Sequence, residues 1–175
     1  MKKLLVAAIS LALLALACKK SGSSSSSYYF TASMNDTAKT FNVNAMAMMD
    51  TLSGIVSLSL IGNVSSAANF EGMNLTINNS PSNKPIVAGT YTENSTDFAV
   101  AGVYNPGSTT IVYGAGEFPS PPNPLTIVIT SIDKSSVKGT FSGDFYYTNT
   151  AVVGPVGPGK KTFTKGQFYL KIQKF

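Results

Sequence analysis

The chain has 175 residues, with 13 lysines against 8 acidic residues and no histidine, arginine or tryptophan. It therefore lacks the commonest general base, the usual nitrogen ligand of zinc and the guanidinium group that clamps phosphate. Four of the lysines precede residue 28, and the nearly balanced remainder lacks the strongly basic face of a nucleic-acid-binding domain. We expect no cofactor, no metal and no nucleic-acid partner.

The first 27 residues have the order of a bacterial lipoprotein export signal. Lys2 and Lys3 precede an apolar run at 4–17, which is followed by the only cysteine, Cys18, and a serine-rich stretch. The run is shorter than the roughly 20 residues that span a bilayer as a helix, and it ends in small residues typical of a cleavage site. An ordinary secretory signal with an incidental cysteine is the open alternative.

These features predict three segments and a location. They are a signal peptide at 1–17, a lipidated Cys18 with a flexible tether at 18–27, and one folded domain at 28–175. Acylation would make membrane lipid a partner, because each buried methylene contributes about 0.8 kcal/mol to anchoring. Residues 19–22 carry no acidic surface-export patch. We therefore expect a lipid anchor in the outer membrane, with the periplasmic leaflet favoured over the cell surface.

Beyond residue 27 the hydrophobic pattern is that of β-strands. Apolar and polar residues alternate at 28–34, 55–61, 73–78 and 166–175, between clusters of Gly, Pro, Asn and Ser. The pattern predicts one antiparallel domain of nine or ten strands, with no substantial helix. A sandwich is preferred, because strands of uneven length and long proline-rich connections suggest crossings between two sheets. A barrel is the alternative.

Two predicted hairpins have interpretable turns. Asn105-Pro106-Gly107-Ser108 fits a type II turn between strands at 98–104 and 109–116. The second hairpin joins 125–131 to 137–149 through a five-residue loop at 132–136. This loop length makes Phe141 the cross-strand neighbour of Ile127 on the buried face, whereas a one-residue slip would invert that face.

Two long connections are rich in proline. Residues 117–124 contain four prolines, and residues 151–161 have the sequence AVVGPVGPGKK. Proline has no amide hydrogen and cannot continue a ladder. Both stretches are therefore predicted to leave the sheet.

The motifs Gly89-Thr90-Tyr91 and Gly139-Thr140-Phe141 open two predicted strands in the same way. With LTIVITSIDKSSVKGTFSGDFYY at 125–147 and GQFYLKI at 166–172, they give the chain a resemblance to a family of small lipoproteins from Bacteroidota whose domain has no assigned function. The resemblance covers residue 88 to the end best. It implies an all-β lipoprotein and supplies no catalytic residues.

Two short motifs resemble the Asp-Thr-hydrophobic acceptor that exported Bacteroidota proteins use for O-glycosylation. They are Asp36-Thr37-Ala38 and Asp50-Thr51-Leu52. Thr37 and Thr51 are therefore candidate modification sites. Turns in which aspartate bonds the local backbone are the other interpretation.

Acid–base chemistry could come only from carboxylates. The chain has eight of them, which are Asp36, Asp50, Glu71, Glu93, Asp97, Glu117, Asp133 and Asp144. A glycosidase needs two at a fixed separation across a cleft, and Asp144 with Glu117 is the pair that neighbouring strands could bring together. No catalytic residue is assigned.

Binding requires less of the sequence than catalysis. Tyr146 and Tyr169 are predicted on the faces opposite their strands' apolar residues, where aromatic rings can contact a glycan or another envelope protein. Five lysines late in the chain are interpreted as protection of an edge strand, with contact to anionic headgroups as the alternative. They are Lys160, Lys161, Lys165, Lys171 and Lys174. The leading function is a non-enzymatic binding or structural domain, and the alternative is an envelope glycan hydrolase.

Overall fold

The computed structural model describes residues 27–66, 71–107, 111–116, 121–149 and 152–174. The predicted signal peptide and Cys18 lie outside these ranges. The strands are β1 (Tyr29–Met34), β2 (Thr37–Thr40), β3 (Val43–Leu52), β4 (Ile55–Asn63), β5 (Glu71–Asn78), β6 (Gly89–Thr92), β7 (Ala99–Pro106), β8 (Ile111–Ala115), β9 (Thr126–Ile132), β10 (Ser136–Asn149) and β11 (Val152–Lys174). In the described ranges, no helix has the length and apolar character needed to cross a membrane.

The strands form one sheet in the order β2-β1-β11-β3-β4-β5-β7-β8-β10-β9-β6, and a further ladder joins β10 to β11. The ladders from β3 through β4, β5, β7, β8, β10 and β11 back to β3 therefore make a closed circuit. The pairs β1–β2 and β6–β9 are attached to this circuit. Every ladder is antiparallel except β11–β3, which is parallel.

The predicted all-β fold is confirmed. The described ranges contain eleven strands rather than nine or ten, and one parallel pair that the sequence pattern does not indicate. The closed circuit gives the connectivity of the barrel alternative. Its interior is filled by side chains from opposite walls, as between the two layers of the preferred sandwich.

Aromatic rings fill this interior. The rings of Phe145 and Phe163 have centroids 4.9 Å apart, and those of Tyr104 and Phe163 lie 5.2 Å apart. A methyl group at Gly102 on β7 would lie only 2.7 Å from the Phe145 ring on β10. The two strands have β8 between them in the sheet, so this contact joins strands that share no ladder. Burial of such rings is the main stabilising contribution of the core.

A polar cluster also crosses between strands that are not neighbours. Glu71 at the start of β5 accepts a hydrogen bond from the Tyr104 hydroxyl at 2.6 Å and pairs with Lys39 of β2 at 2.8 Å. Burial raises the pKa of Tyr104, and the bond to Glu71 raises it further. The cluster ties β2, near one end of the strand order, to the middle of the sheet.

The predicted face of the β9–β10 hairpin is confirmed. Phe141 pairs with Ile127, and both are buried together with Leu125, Ile129, Val137 and Phe145. The turn is tighter than predicted, because Val137 pairs with Ile132 and a register shift follows Lys138. Asp133 holds the turn by accepting backbone hydrogen bonds from Ser135 at 2.6 Å and Ser136 at 2.8 Å. These bonds, that of Ser135 first, lower the pKa of Asp133 to about 2.

The register predicted for the hairpin of β7 and β8 is wrong, although Gly107 has the positive φ, 87°, that the predicted type II turn gives it. Ser108, the last residue of that turn, lies outside the described residues. Tyr104 pairs with Tyr113, whereas that turn would pair Tyr104 with residue 109. The strand continues because β5 supplies partners on its other side, where Asn105 pairs with Gly72 and Pro106 with Glu71. Proline occupies the last position of β7, where a missing amide hydrogen is tolerated.

The prediction that residues 151–161 leave the sheet is also wrong. Residues 152–161 belong to β11, with Asn149 paired to Val152 and Thr148 to Pro155, and residue 151 lies outside the described residues. Register shifts on both sides of Thr148 absorb the irregular pairing. Between 152 and 162, β11 has ladders with β10 alone among the described residues, so Pro155 lies on a strand with one open edge. In the first proline-rich connection, the described residues 121–124 do lie outside the strands.

A candidate ligand-binding groove beside Glu93

A groove of about 460 Å³ opens on the outer face of β5 and β7. Its volume falls within the roughly 300–1,000 Å³ of small-molecule sites. It is lined by Thr76, Asn78, Ser80, Pro81, Glu93, Ser95, Phe98, Ala99, Val100, Ala101 and Gly116. Residues with hydroxyl and amide side chains therefore share the lining with one aromatic residue and with Glu93, whose carboxyl oxygens are themselves buried.

The floor follows from strand alternation. Leu75 and Ile77 of β5 are buried, which turns Thr76 and Asn78 to the outer face. Across the ladder, Thr76 pairs with Ala101 of β7, and Asn78 pairs with Ala99. The small alanine side chains leave the space above β7 open.

One wall is the connection that follows β5, and Asn79 fixes it. The Asn79 side chain is only 2% exposed. Its Oδ1 accepts a hydrogen bond from the Val56 amide at 2.7 Å, and its Nδ2 donates to the Lys84 carbonyl at 2.9 Å. A buried amide with both ends bonded holds the backbone of this wall against β4.

The opposite wall is the β6–β7 connection, and it is tied directly to the first wall. The Ser82 hydroxyl donates to the Asp97 carbonyl at 2.6 Å, and Lys84 pairs with the Asp97 carboxylate at 2.5 Å. The Ser95 hydroxyl oxygen accepts hydrogen bonds from the Asp97 and Phe98 amides, each at 3.2 Å. The two walls are therefore held at a fixed separation before any ligand arrives.

Phe98 is the aromatic residue of the groove, and its ring is held in place. It meets the Tyr91 ring edge to face, with centroids 4.8 Å apart. The Tyr91 hydroxyl in turn donates to the Val87 carbonyl at 2.7 Å and accepts from the Val87 amide at 2.8 Å. An aromatic ring fixed in this way offers a preorganised apolar surface.

Glu93 is the unusual residue of the site. Its backbone amide donates to the Leu125 carbonyl at 3.1 Å, which fixes the chain beside the groove. Both carboxyl oxygens are buried, and within the described ranges neither has a hydrogen-bond partner. Burial raises the pKa of Glu93, and the charge of Asp144 adds to the rise, while the nearby amides of Leu125 and Gly116 oppose it. A buried carboxyl group without partners is costly to keep in a fold.

Asp144, by contrast, is fully engaged. Its carboxylate, 2% exposed, accepts hydrogen bonds from Lys160 at 2.7 Å, Thr162 at 2.7 Å and Asn123 at 3.3 Å. Burial alone would raise the pKa of Asp144, but these bonds and the charge of Lys160 hold it below its usual range. Asp144 does not line the groove. Glu117, its predicted partner, lies outside the described residues.

The structure places Tyr146 and Tyr169 at separate sites. On the β10–β11 ladder, Tyr169 lies opposite Lys138, and Tyr146 lies opposite Lys160. The eight residue steps from Lys138 to Tyr146 span on the order of 25 Å of strand. Tyr169 contacts the rings of Tyr28 and Tyr29, with centroids 5.1 and 6.3 Å away. The two predicted ligand contacts therefore cannot form one small site.

Thr37 and Thr51, the predicted glycosylation acceptors, are both exposed on strands β2 and β3. Asp36, which precedes Thr37, has a φ of 65° in the turn after β1. Both positions are accessible to a modifying enzyme, and modification itself stays a prediction.

Sequence reasoning named Glu93 only as one of eight acids and did not place it in a site. The backbone groups that lie near its carboxyl group belong to Leu125 and Gly116, which are distant along the chain, so no local pattern could indicate this environment. No protein-family model, curated protein or solved structure matches this chain. The resemblance to small Bacteroidota lipoproteins therefore stays a prediction, and function is inferred from sequence and geometry.

Proposed function

We propose that this protein is a lipid-anchored envelope lipoprotein whose β domain binds an envelope glycan in the Glu93 groove without converting it. The observation that carries the proposal is a rigid groove beside the buried carboxyl group of Glu93, whose oxygens form no hydrogen bond of ordinary length and angle within the described ranges. Hydroxyl and amide groups at Thr76, Asn78, Ser80 and Ser95 can exchange hydrogen bonds with sugar hydroxyls. The fixed ring of Phe98 offers the apolar surface against which a sugar ring packs.

A groove-blocking variant tests this binding site. Ala101→Phe places a large ring on the groove floor, on a side chain that faces outward from β7. Val103→Phe is the matched control, since Val103 lies two residues along the same strand, is 45% exposed and does not line the groove.

Soluble oligosaccharides released from the host cell envelope are titrated into the intact protein and followed by nuclear magnetic resonance. We expect shifts at residues that line the groove, at least tenfold weaker binding in Ala101→Phe, and unchanged binding in Val103→Phe. Shifts confined to another surface would contradict the proposal.

The proposed membrane location depends on acylation of Cys18. Mass spectrometry of the mature N-terminus in the native host is expected to show cleavage before Cys18 and the added mass of acyl chains. Intact Met1, or an unmodified Cys18, would refute lipid anchoring.

One observation favours a second function, hydrolysis of the glycan. The charge of Asp144 contributes to the raised pKa of Glu93, so the two carboxyl groups have opposite protonation tendencies, as in acid–base pairs. Glu93 would then act as the acid. We favour binding because Asp144 is occupied by Lys160 and does not line the groove. The test is the release of new reducing ends from the same oligosaccharides. If the protein releases them and Glu93→Gln abolishes the release, the function is hydrolysis rather than binding alone.

A further inference from the structure

Three tyrosines cluster at the point where the predicted tether joins the domain. The Tyr28 ring lies 5.1 Å from the Tyr169 ring, and the Tyr29 ring lies 6.3 Å from it. Tyr28 is 40% exposed, although it belongs to an aromatic cluster. In the ladder, Tyr29 pairs with Tyr169. The exposed Tyr28 ring, which precedes the first strand, and the Tyr29 and Tyr169 rings therefore form one aromatic surface on the outer face of the sheet.

Two lysines share this outer face. Lys138 of β10 pairs with Tyr169, and Lys171 lies two residues further along β11 on the same side. Both lysines are exposed, whereas the intervening Leu170 is buried. We call the surface formed by Tyr28, Tyr29, Tyr169, Lys138 and Lys171 the tyrosine–lysine face.

Protection of a sheet edge does not account for Lys138. At this position β10 has ladders on both sides, to Ser131 of β9 and to Tyr169 of β11. A lysine that prevents pairing between sheets is expected on an unpaired edge. The acid nearest to Lys138 along the chain, Asp133, lies in the turn before β10, where its carboxylate is hydrogen-bonded to Ser135 and Ser136. The face is therefore basic and aromatic.

We propose that the tyrosine–lysine face lies against the headgroups of an anionic phospholipid membrane. The inference rests on the proposed lipid anchor. Nine residues separate Cys18 from Tyr28, and a flexible chain of that length has a typical reach of about 15–18 Å. Because the chain enters the domain at Tyr28, this face is the part that an acylated Cys18 would hold closest to the bilayer. Tyrosine rings favour the membrane–water interface, and lysines favour anionic headgroups.

The absence of tryptophan from the chain provides a direct test. Tyr28→Trp introduces a single fluorescent reporter on the tyrosine–lysine face. Val103→Trp is the control, because Val103 is similarly exposed but lies on β7, which has no ladder with β10 or β11. Thermal unfolding checks that both variants keep the fold.

The acylated full-length lipoprotein is reconstituted into vesicles of phosphatidylglycerol and phosphatidylethanolamine with brominated acyl chains. We expect the emission of Trp at 28 to shift to the blue and to be quenched at least twofold, with Trp at 103 unchanged. Adding Lys138→Gln and Lys171→Gln to Tyr28→Trp is expected to reduce the quenching in anionic vesicles, but not in phosphatidylcholine vesicles.

Mass spectrometry of the same sample separates the two levels of inference. If Cys18 is acylated and neither reporter is quenched, the tyrosine–lysine face does not contact the membrane, but the proposed lipid anchor is upheld. If both are quenched equally, the contact is not specific to this face and the inference is overturned. An unmodified Cys18 overturns the proposed lipid anchor and, with it, this inference.

Discussion

The carboxyl group of Glu93 lies where burial favours its neutral, protonated form. Its folded-state pKa lies above the ordinary value of 4.5. Between these two values the folded chain binds more protons than the unfolded chain, so the free energy of unfolding falls as pH rises through the window. Residues with a stability cost of this kind are often retained for binding or catalysis.

Glu93→Gln is therefore expected to stabilise the fold above the folded-state pKa, because it removes a charge that burial disfavours. The gain in melting temperature is expected at about pH 7 and should disappear at about pH 3, where Glu93 is already protonated. Asp50→Asn, at an exposed position of β3, is the control and should change little at either pH. A loss of stability at pH 7 would show that Glu93 has a partner that stabilises its charge.

The pKa shift of Asp144 has the opposite sign to that of Glu93. Its folded-state pKa is lowered, so its contribution to stability is present above the ordinary pKa and is lost as pH falls through the folded value. Asp144→Asn is expected to cost about 1–3 kcal/mol at neutral pH, as hydrogen bonds to a charged group are lost. Urea unfolding at several pH values would measure this cost. A cost independent of pH would mean that the Asp144 charge contributes nothing.

At the scale of single elements, the two Gly-Thr-aromatic motifs occupy different surroundings. Gly89 of β6 and Gly139 of β10 both pair with Ile129 of β9, from opposite sides. A methyl group at Gly139 would lie 2.1 Å from the Val128 carbonyl oxygen and 2.5 Å from the Phe168 ring. At Gly89 the nearest atom would be 3.9 Å away. The same motif is thus tightly packed in one strand and open in the other.

Gly139→Ala is expected to cost about 1–3 kcal/mol or more, because overpacking displaces backbone or the Phe168 ring. Gly89→Ala is the matched control and is expected to be neutral or to stabilise by up to about 1 kcal/mol, since alanine restricts the unfolded chain. Chemical denaturation of the two variants gives the comparison. Equal effects would show that β10 accommodates the methyl group by moving.

The strands could be predicted where one face alone decides the pattern. Ile127, Ile129 and Phe141 alternate with polar residues, and this fixes the buried face of the β9–β10 hairpin. The prediction fails where the partner strand decides the outcome. Pro106 remains in β7 because β5 pairs with it, and Pro155 remains in β11 because, among the described strands, β10 alone pairs with that part of β11. The groove could not be predicted for the same reason, because the segments around Glu93 are remote in sequence.

At the scale of the molecule, the closed circuit predicts that the domain unfolds as one unit. Ile172 of β11 is buried and pairs with Ala47 in the only parallel ladder among the described strands. Ile172→Ala is expected to cost about 2–5 kcal/mol, whereas Ile55→Ala, on a 36% exposed side chain, should cost much less. Hydrogen exchange should show protection falling together in β3, β4 and β5. Loss confined to β11 would contradict a single cooperative unit.

The position of β1 in the sheet has a consequence for how the chain reaches this structure. In the described part of the chain, β1 has ladders with β2 and with residues 163–169 of β11. Tyr29 and Tyr169, which pair directly, are separated by 140 positions in the sequence. The first strand made is therefore completed by the last, and such non-local contacts slow folding and prolong the exposure of unpaired edges. Until the final strand is available, the segment 29–34 offers an open edge that other chains can pair with, so a holding chaperone would act at this stage rather than on the finished domain.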